Sequence, residues 1–111
     1  VYVTGRSERS GDSPLPGTIF ETADAVTSAG GRGVAVRVDH AIDAEVAALF
    51  DRVARDEGRL DILVNNACLI RDELLSPQNF WEKPLNTVDM LDVGLRSSYV
   101  ASHYAAPLMV K

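Results

Sequence analysis

Positive charge is scarce in this chain: 11 Lys and Arg stand against 16 Asp and Glu, a formal net charge of −5. Such a surface does not attract nucleic-acid phosphates or an anionic membrane, and no basic stripe with interleaved aromatics opposes that balance locally. Cysteine occurs once, at Cys68, which excludes an internal disulfide framework and fits a reducing, cytoplasmic compartment. No apolar run approaches the roughly 20 residues of a membrane span, and no signal-peptide pattern, internal repeat or low-complexity segment is found. His40 and His103 lack acidic or Cys partners at metal-ligand spacing, so no metal site is expected. An initiating Met is missing too. Val1 opens inside a strand pattern, and the 111 residues read as one partial domain of a longer protein.

What is present alternates strand and helix. Leu60–Ala67 reads LDILVNNA, in which Leu60, Ile62, Leu63 and Val64 form an apolar run too short for a helix, expected as a fully buried parallel strand. The run stops at Asn65-Asn66, at the carboxyl edge where α/β sheets bind ligands. An Asn there can serve a neighbouring strand, a cofactor or water, or end the strand in a polar turn. Earlier, Val1-Tyr2-Val3-Thr4 ending at Gly5 predicts a strand, and Arg6 to Pro16 a loop. Thr18-x-x-Glu21 is a capping-box signature for a helix that stops at Gly30-Gly31. Val34 to Val38 is the second strand, closed by Asp39. From about Asp43, the residues Val46, Leu49, Phe50 and Val53 share one helical face until Gly58.

Cys68 to Pro84 is irregular, and Asn86 or Thr87 is placed to cap a long last helix reaching about Val110. That helix presents Met90, Val93, Leu95, Val100 and Ala101, with a kink or early stop expected at Pro107. Gly94 inside it costs about 1 kcal/mol relative to Ala and marks a close approach or a kink. Three strands separated by helices imply right-handed βαβ units, hence an α/β fold.

A strand ending in Thr4-Gly5-Arg6, one ending in Val38-Asp39, then Leu60 to Ala67 and a helix carrying Val93-Gly94-Leu95-Arg96 resemble, in that order, the middle of a short-chain dehydrogenase/reductase. The chain is most similar to that family's dehydrogenase/reductase member 1 branch and its bacterial relatives. Gly5-Arg6-Ser7, Leu15-Pro16-Gly17-Thr18-Ile19 and Phe80-Trp81-Glu82 carry that likeness. The resemblance implies a partial Rossmann fold over residues 1–111, and hydride transfer between a nicotinamide cofactor and a small carbonyl or alcohol substrate. NAD-preferring members place a carboxylate at the end of the strand where this chain has Gly5 followed by Arg6 and Ser7, so NADP is the expected cofactor. The alternative for Arg6 is a solvated loop charge, with Arg9 a weaker second candidate. Asp39 matches the residue that meets the adenine amino group, with His40 beside it. The other reading of Asp39 is a cap for the helix near Asp43. Asn65 matches the Asn that steadies the sheet and contacts the cofactor, and Ala67 allows its close approach. Where the family commonly has Gly, Cys68 narrows the space beside the ribose.

The departures limit what this chain does alone. The family's glycine-rich loop precedes the first strand seen here, and Gly30-Gly31-Arg32-Gly33 follows a helix, the reverse of that motif's context. No Tyr stands four residues before Lys83 or Lys111, and the family's helix Asn aligns with Gly94. No catalytic residue is therefore assigned, and the isolated chain is expected neither to bind NADP usefully nor to turn over. In the family's strand order, the strand between this chain's first and third lies outside the 111 residues. The third is expected to slide in beside the first, giving local order 2-1-3. Tyr99, His103 and Tyr104 share part of one face of helix 86–110, a possible homo-oligomer contact. Phe80-Trp81 borders a substrate pocket or anchors a loop. A second functional class, a non-catalytic degenerate nucleotide-binding or interaction module, stays open. A phospho-receiver is set aside, since Thr4-Gly5-Arg6 and Asn65-Asn66 occupy the places of its acidic residues.

Overall fold

A computed structural model describes residues 1–110. Two strands, β1 (Tyr2–Gly5) and β2 (Val34–Arg37), pair in parallel with Tyr2 opposite Val34 and Gly5 opposite Arg37. Helix α1 (Ile19–Ser28) connects them. It starts where Thr18 accepts a hydrogen bond from the Glu21 amide at 3.1 Å, and it ends ahead of Gly30, whose φ of 92° suits only glycine well. After β2 comes α2 (Asp43–Glu57), closed by Gly58 in the left-handed region at φ 74°. Its stripe of Val46, Leu49, Phe50 and Val53 is buried as the spacing predicts, against Ala101, Ala105 and Leu108 of α3 (Ser97–Met109). Burial of these apolar faces, at roughly 25 cal/mol per Å², is the main stabilising term. No helix among the described residues is long and apolar enough to cross a membrane.

Several expectations are corrected by the structure. Leu60–Asn65 is extended but forms no strand ladder, so the sheet has two strands, and neither the third strand nor the order 2-1-3 forms. The reason lies in what holds this segment. The Leu60 amide donates to the Leu108 carbonyl at 3.0 Å, and Leu60 and Leu63 pack against the α2–α3 core. Sliding toward β1 would give up those contacts to gain a few hydrogen bonds of about 1 kcal/mol each. Ile62 and Val64, expected inside, are 76% and 75% exposed, because among the described residues the core cluster is joined by Leu60 and Leu63 from this segment and not by them.

The long helix from 86 to 110 is also interrupted. Residues Leu85–Leu91 form a tight three-residue-per-turn helix, and Val93 and Gly94 leave helical geometry, Gly94 at φ 153°. A Cβ built on Gly94 meets nothing within 4 Å, so of the two expected roles the kink is found and the close approach is not. Conversely, Pro107 neither kinks nor stops α3, which runs on to Met109. It forfeits the one bond its amide would have given to the carbonyl four residues earlier, and α3 keeps its course because its neighbouring residues Ala101, Ala105 and Leu108 are packed in the core.

Candidate functional site

Of the sequence-predicted site residues, Gly5, Arg6, Ser7, Asp39 and His40 lie at or just beyond the carboxyl ends of β1 and β2, whereas Asn65 and Ala67 lie on the 60–67 segment. Gly5 ends β1, and its carbonyl accepts from the Val38 amide at 3.0 Å. A side chain there would bring a Cβ to 3.1 Å from Ile19 Cγ2, so α1 packs tightly on this strand end. Beyond it, the Ser7 carbonyl accepts from the Ile19 amide at 3.0 Å, which fixes the start of the loop just where Arg6 and Ser7 project. The Arg6 guanidinium stands 4.0 Å from an Asp39 carboxylate oxygen, with 65% of its side chain exposed. An exposed pair at that distance is weak, of order 0–1 kcal/mol, and an arriving polyanion can replace it.

Asp39 does not cap α2, where Ile42 holds the cap position without a side-chain bond. Instead Asp39 Oδ1 accepts from the Ala41 amide at 2.9 Å, closing the turn between β2 and the helix, while its own amide donates to Glu45 at 2.6 Å. Next to it, His40 Nε2 lies 3.0 Å from Thr4 Oγ1, a bond that ties the two strand ends together. Burial pushes the His40 pKa below its ordinary value, opposed by the neighbouring Asp39 charge. A depressed imidazole means that the unfolded chain takes up a proton first as pH falls. Stability is therefore fully present above about pH 6.5 and declines from there down to the folded-state pKa. We expect unfolding midpoints to decrease on acidification from pH 7 toward pH 5, with His40→Gln flattening that limb. An unchanged slope in the variant would assign the limb to another group. Below about pH 4.5 a second limb belongs to Glu57, Asp43 and Asp12. Their carboxyls are held low by bonds from Tyr2 and Arg32, from Arg96, and from the Arg9 and Glu8 amides respectively.

Thr4, His40, Asn65 and Ala67 line one cleft of about 920 Å³ between β1 and the 60–67 segment, whereas Gly5, Arg6, Ser7 and Asp39 lie outside its walls. Asn65 Nδ2 donates to Ser102 Oγ at 3.1 Å, so its amide is engaged with α3 instead of a sheet. Cys68 is exposed. No group of three or more metal-ligating side chains occurs among the described residues. Two features escaped the sequence reading. Arg96 forms a double-headed ion pair with Asp43 at 2.7 and 2.6 Å, clamping the start of α3 to the start of α2, and nothing local in the sequence signals a pair so far apart. Gly33 lies so close to α1 that a Cβ would sit 2.0 Å from the Ala23 carbonyl oxygen. Its run of neighbouring glycines was the available signal.

A family profile described as enoyl-(acyl carrier protein) reductase matches residues 17–111. Mouse dehydrogenase/reductase SDR family member 1 is 42% identical over 99% of this chain, which covers 34% of that protein. A putative dehydrogenase from Xanthomonas campestris superposes with a TM-score of 0.83 at 30% identity, over 99% of this chain and 39% of the other. A short-chain dehydrogenase from Burkholderia cenocepacia, solved in complex with NADP, matches 81% of this chain and 35% of its own, with a TM-score of 0.66 at 33% identity. The chain thus spans about a third of the length of the curated relatives it matches.

Proposed function

We propose, on the premise that this chain belongs to the short-chain dehydrogenase/reductase family, that residues 1–111 form the adenosine-side part of a nicotinamide dinucleotide site in a partial Rossmann domain. The activity served is an oxidoreductase acting between a small carbonyl and an alcohol, with NADP as cofactor in a cytoplasmic protein. The observation that carries this reading is Arg6 at the carboxyl end of β1, where no carboxylate stands on the strand end and, among the described residues, the carboxylate paired with Arg6 is that of Asp39 at 4.0 Å. A 2′-phosphate brings more negative charge than Asp39 and fits a guanidinium in bidentate fashion, and Ser7 adds a hydroxyl donor. Asp39 and His40 flank the adenine, while Asn65 and Ala67 border the cofactor's far side. The bound cofactor supplies or accepts the hydride. This chain's own residues hold its adenosine end, and neither a glycine-rich pyrophosphate turn nor a Tyr-x-x-x-Lys pair lies within the 111 residues. Exposed Tyr99 and the His103–Tyr104 edge-to-face pair at 5.2 Å support a homo-oligomer contact through α3.

One charge-assisted phosphate contact contributes about 1.5–3 kcal/mol, short of the roughly 4.1 kcal/mol that a millimolar complex needs. Fluorescence titration of the 111-residue chain with NADPH is therefore expected to show no saturation below about 1 mM. In a longer chain carrying these residues, NADPH binds more tightly than NADH, and Arg6→Ala removes roughly ten- to hundredfold of that preference. Equal affinities, or a preference untouched by the substitution, would sink the assignment. The second reading, a non-catalytic nucleotide-binding or interaction module, is favoured by one feature. Gly94, at the position of the family's helix Asn, carries no side chain and breaks the helix. Turnover of a carbonyl substrate by the longer chain decides between them.

A further inference from the structure

We propose that Glu45, on the first turn of α2, is a positioning residue for the adenosine end of the cofactor, holding Asp39 directly and the loop of Arg6 and Ser7 through Arg37. The role deepens the cofactor reading above and rests on it. Glu45 Oε2 accepts from the Asp39 amide at 2.6 Å and from Arg37 Nη1 at 3.3 Å. Arg37 Nε in turn stands 3.8 Å from an oxygen of Glu8, the residue that follows Ser7. One carboxylate thus connects α2 to the turn after β2 and to the loop after β1.

The pair that needs positioning cannot position itself. Arg6 and Asp39 stand 4.0 Å apart with the guanidinium exposed, and an ion pair that weak does not fix its own geometry. Their spacing is set by the two stretches of main chain that carry them. Asp39 is held at each polar group: its carbonyl accepts from the Ile42 amide at 3.0 Å, and its Oδ1 accepts from the Ala41 amide at 2.9 Å. Those two bonds lie inside the turn and move with it. Beside the His40–Thr4 bond, which joins the turn to β1, the Glu45 bond is what joins it to α2. Asp39 Oδ2 then faces Arg6.

A first-turn Glu has an ordinary explanation, since an acid suits the unpaired amides there and a Glu three residues after the cap commonly bonds back to the cap's own amide. Glu45 departs from that habit. It stands three residues after the cap residue Ile42, whose amide is already given to the Asp39 carbonyl, and it takes the Asp39 amide instead. The bond therefore serves the turn that carries Asp39, beyond what the start of the helix requires.

The test uses the longer chain carrying these residues, with adenosine 2′,5′-bisphosphate as the probe so that the adenosine end alone reports. Glu45→Ala is expected to weaken probe binding about tenfold and to speed exchange of the Asp39 amide by a similar factor, because a half-buried donor loses its acceptor. Glu45→Gln keeps a carbonyl oxygen for that amide, and its affinity is expected within about threefold of the unsubstituted protein. Asp43→Ala is the control. It removes another first-turn acid of α2 together with its Arg96 pair, and is expected to lower the thermal midpoint while moving probe affinity less than about twofold. Equal affinity losses in the two Ala variants, a Gln variant as weak as Ala, or an Asp39 amide untouched by Glu45→Ala would each overturn the role. Probe binding that falls with Arg6→Ala and not with Glu45→Ala overturns this role alone. A longer chain that does not bind the probe at all overturns the cofactor reading and the role with it.

Discussion

Replacing Gly33 with Ala is expected to cost about 3 kcal/mol or more, the largest effect of any single methyl addition in this molecule. The added carbon would sit 2.0 Å from the Ala23 carbonyl oxygen and 2.6 Å from its carbon, distances no side-chain rotation can relieve because every atom involved is backbone. Either α1 or the start of β2 has to move by more than an ångström. α1 cannot retreat freely, since Ile19 and Ala23 are buried on its inner face and Gly5 is already within 3.1 Å of Ile19 in the sense of a Cβ. β2 cannot retreat either without losing its register on β1. Overpacking of this kind runs at 1–3 kcal/mol in cores where side chains can yield, and here they cannot. In a chain of this size, each kcal/mol moves the thermal midpoint by roughly 4–8 °C. A midpoint within about 3 °C of the unsubstituted chain would show that the contact between α1 and the Gly31–Gly33 turn is looser than these distances state.

Phe50→Ala is expected to cost about 3 kcal/mol, at the low end of the range for large aromatic truncations. Two features pull in opposite directions. Phe50 is 6% exposed and belongs to the apolar cluster that joins α2 to α3, so its removal strips contacts from Val46, Val53 and the α3 face. It also forms part of the cleft wall, so the space it leaves opens toward water and does not persist as a sealed void. The transfer penalty then remains while the cavity penalty shrinks. Val46→Ala, at a residue with 0% exposure and no share in the cleft wall, loses less buried area but leaves a closed cavity. Urea unfolding of both variants separates the two contributions. A Phe50→Ala loss above about 5 kcal/mol would mean that the cleft closes over the gap.

How much of this was legible depended on whether the deciding contact was local. Thr18, the α2 stripe and Gly58 are settled by neighbours within one or two turns, and α1 and α2 begin and end where the sequence places them. Leu60–Asn65 was misread because strand formation depends on an edge in register. Apolar content and Asn-Asn punctuation describe the guest of a sheet, not the presence of its host. Pro107 does not interrupt α3 because the packing of Ala105 and Leu108 on either side of it outweighs one lost backbone bond, and that packing is not local in the sequence. At the candidate site the sequence named Arg6, Asp39 and His40, and the structure sets them at adjoining strand ends. The bond that links those ends, Thr4 to His40, spans 36 positions and has no signature in the sequence.

The break at Gly94 has a mechanical corollary. Phe80, Trp81 and Leu85 sit upstream of it with more than two-thirds of their surface bare, while every buried α3 residue sits downstream. Arg96 grips Asp43 just past the break, so torque applied to the aromatic-bearing arm meets a pivot and an anchor before it reaches the packed interior. What holds the arm instead are its bonds to the preceding segment, Arg71 to Asp89 and Lys83 to the Leu74 carbonyl, so its own fixation is separate from that of the α2–α3 core.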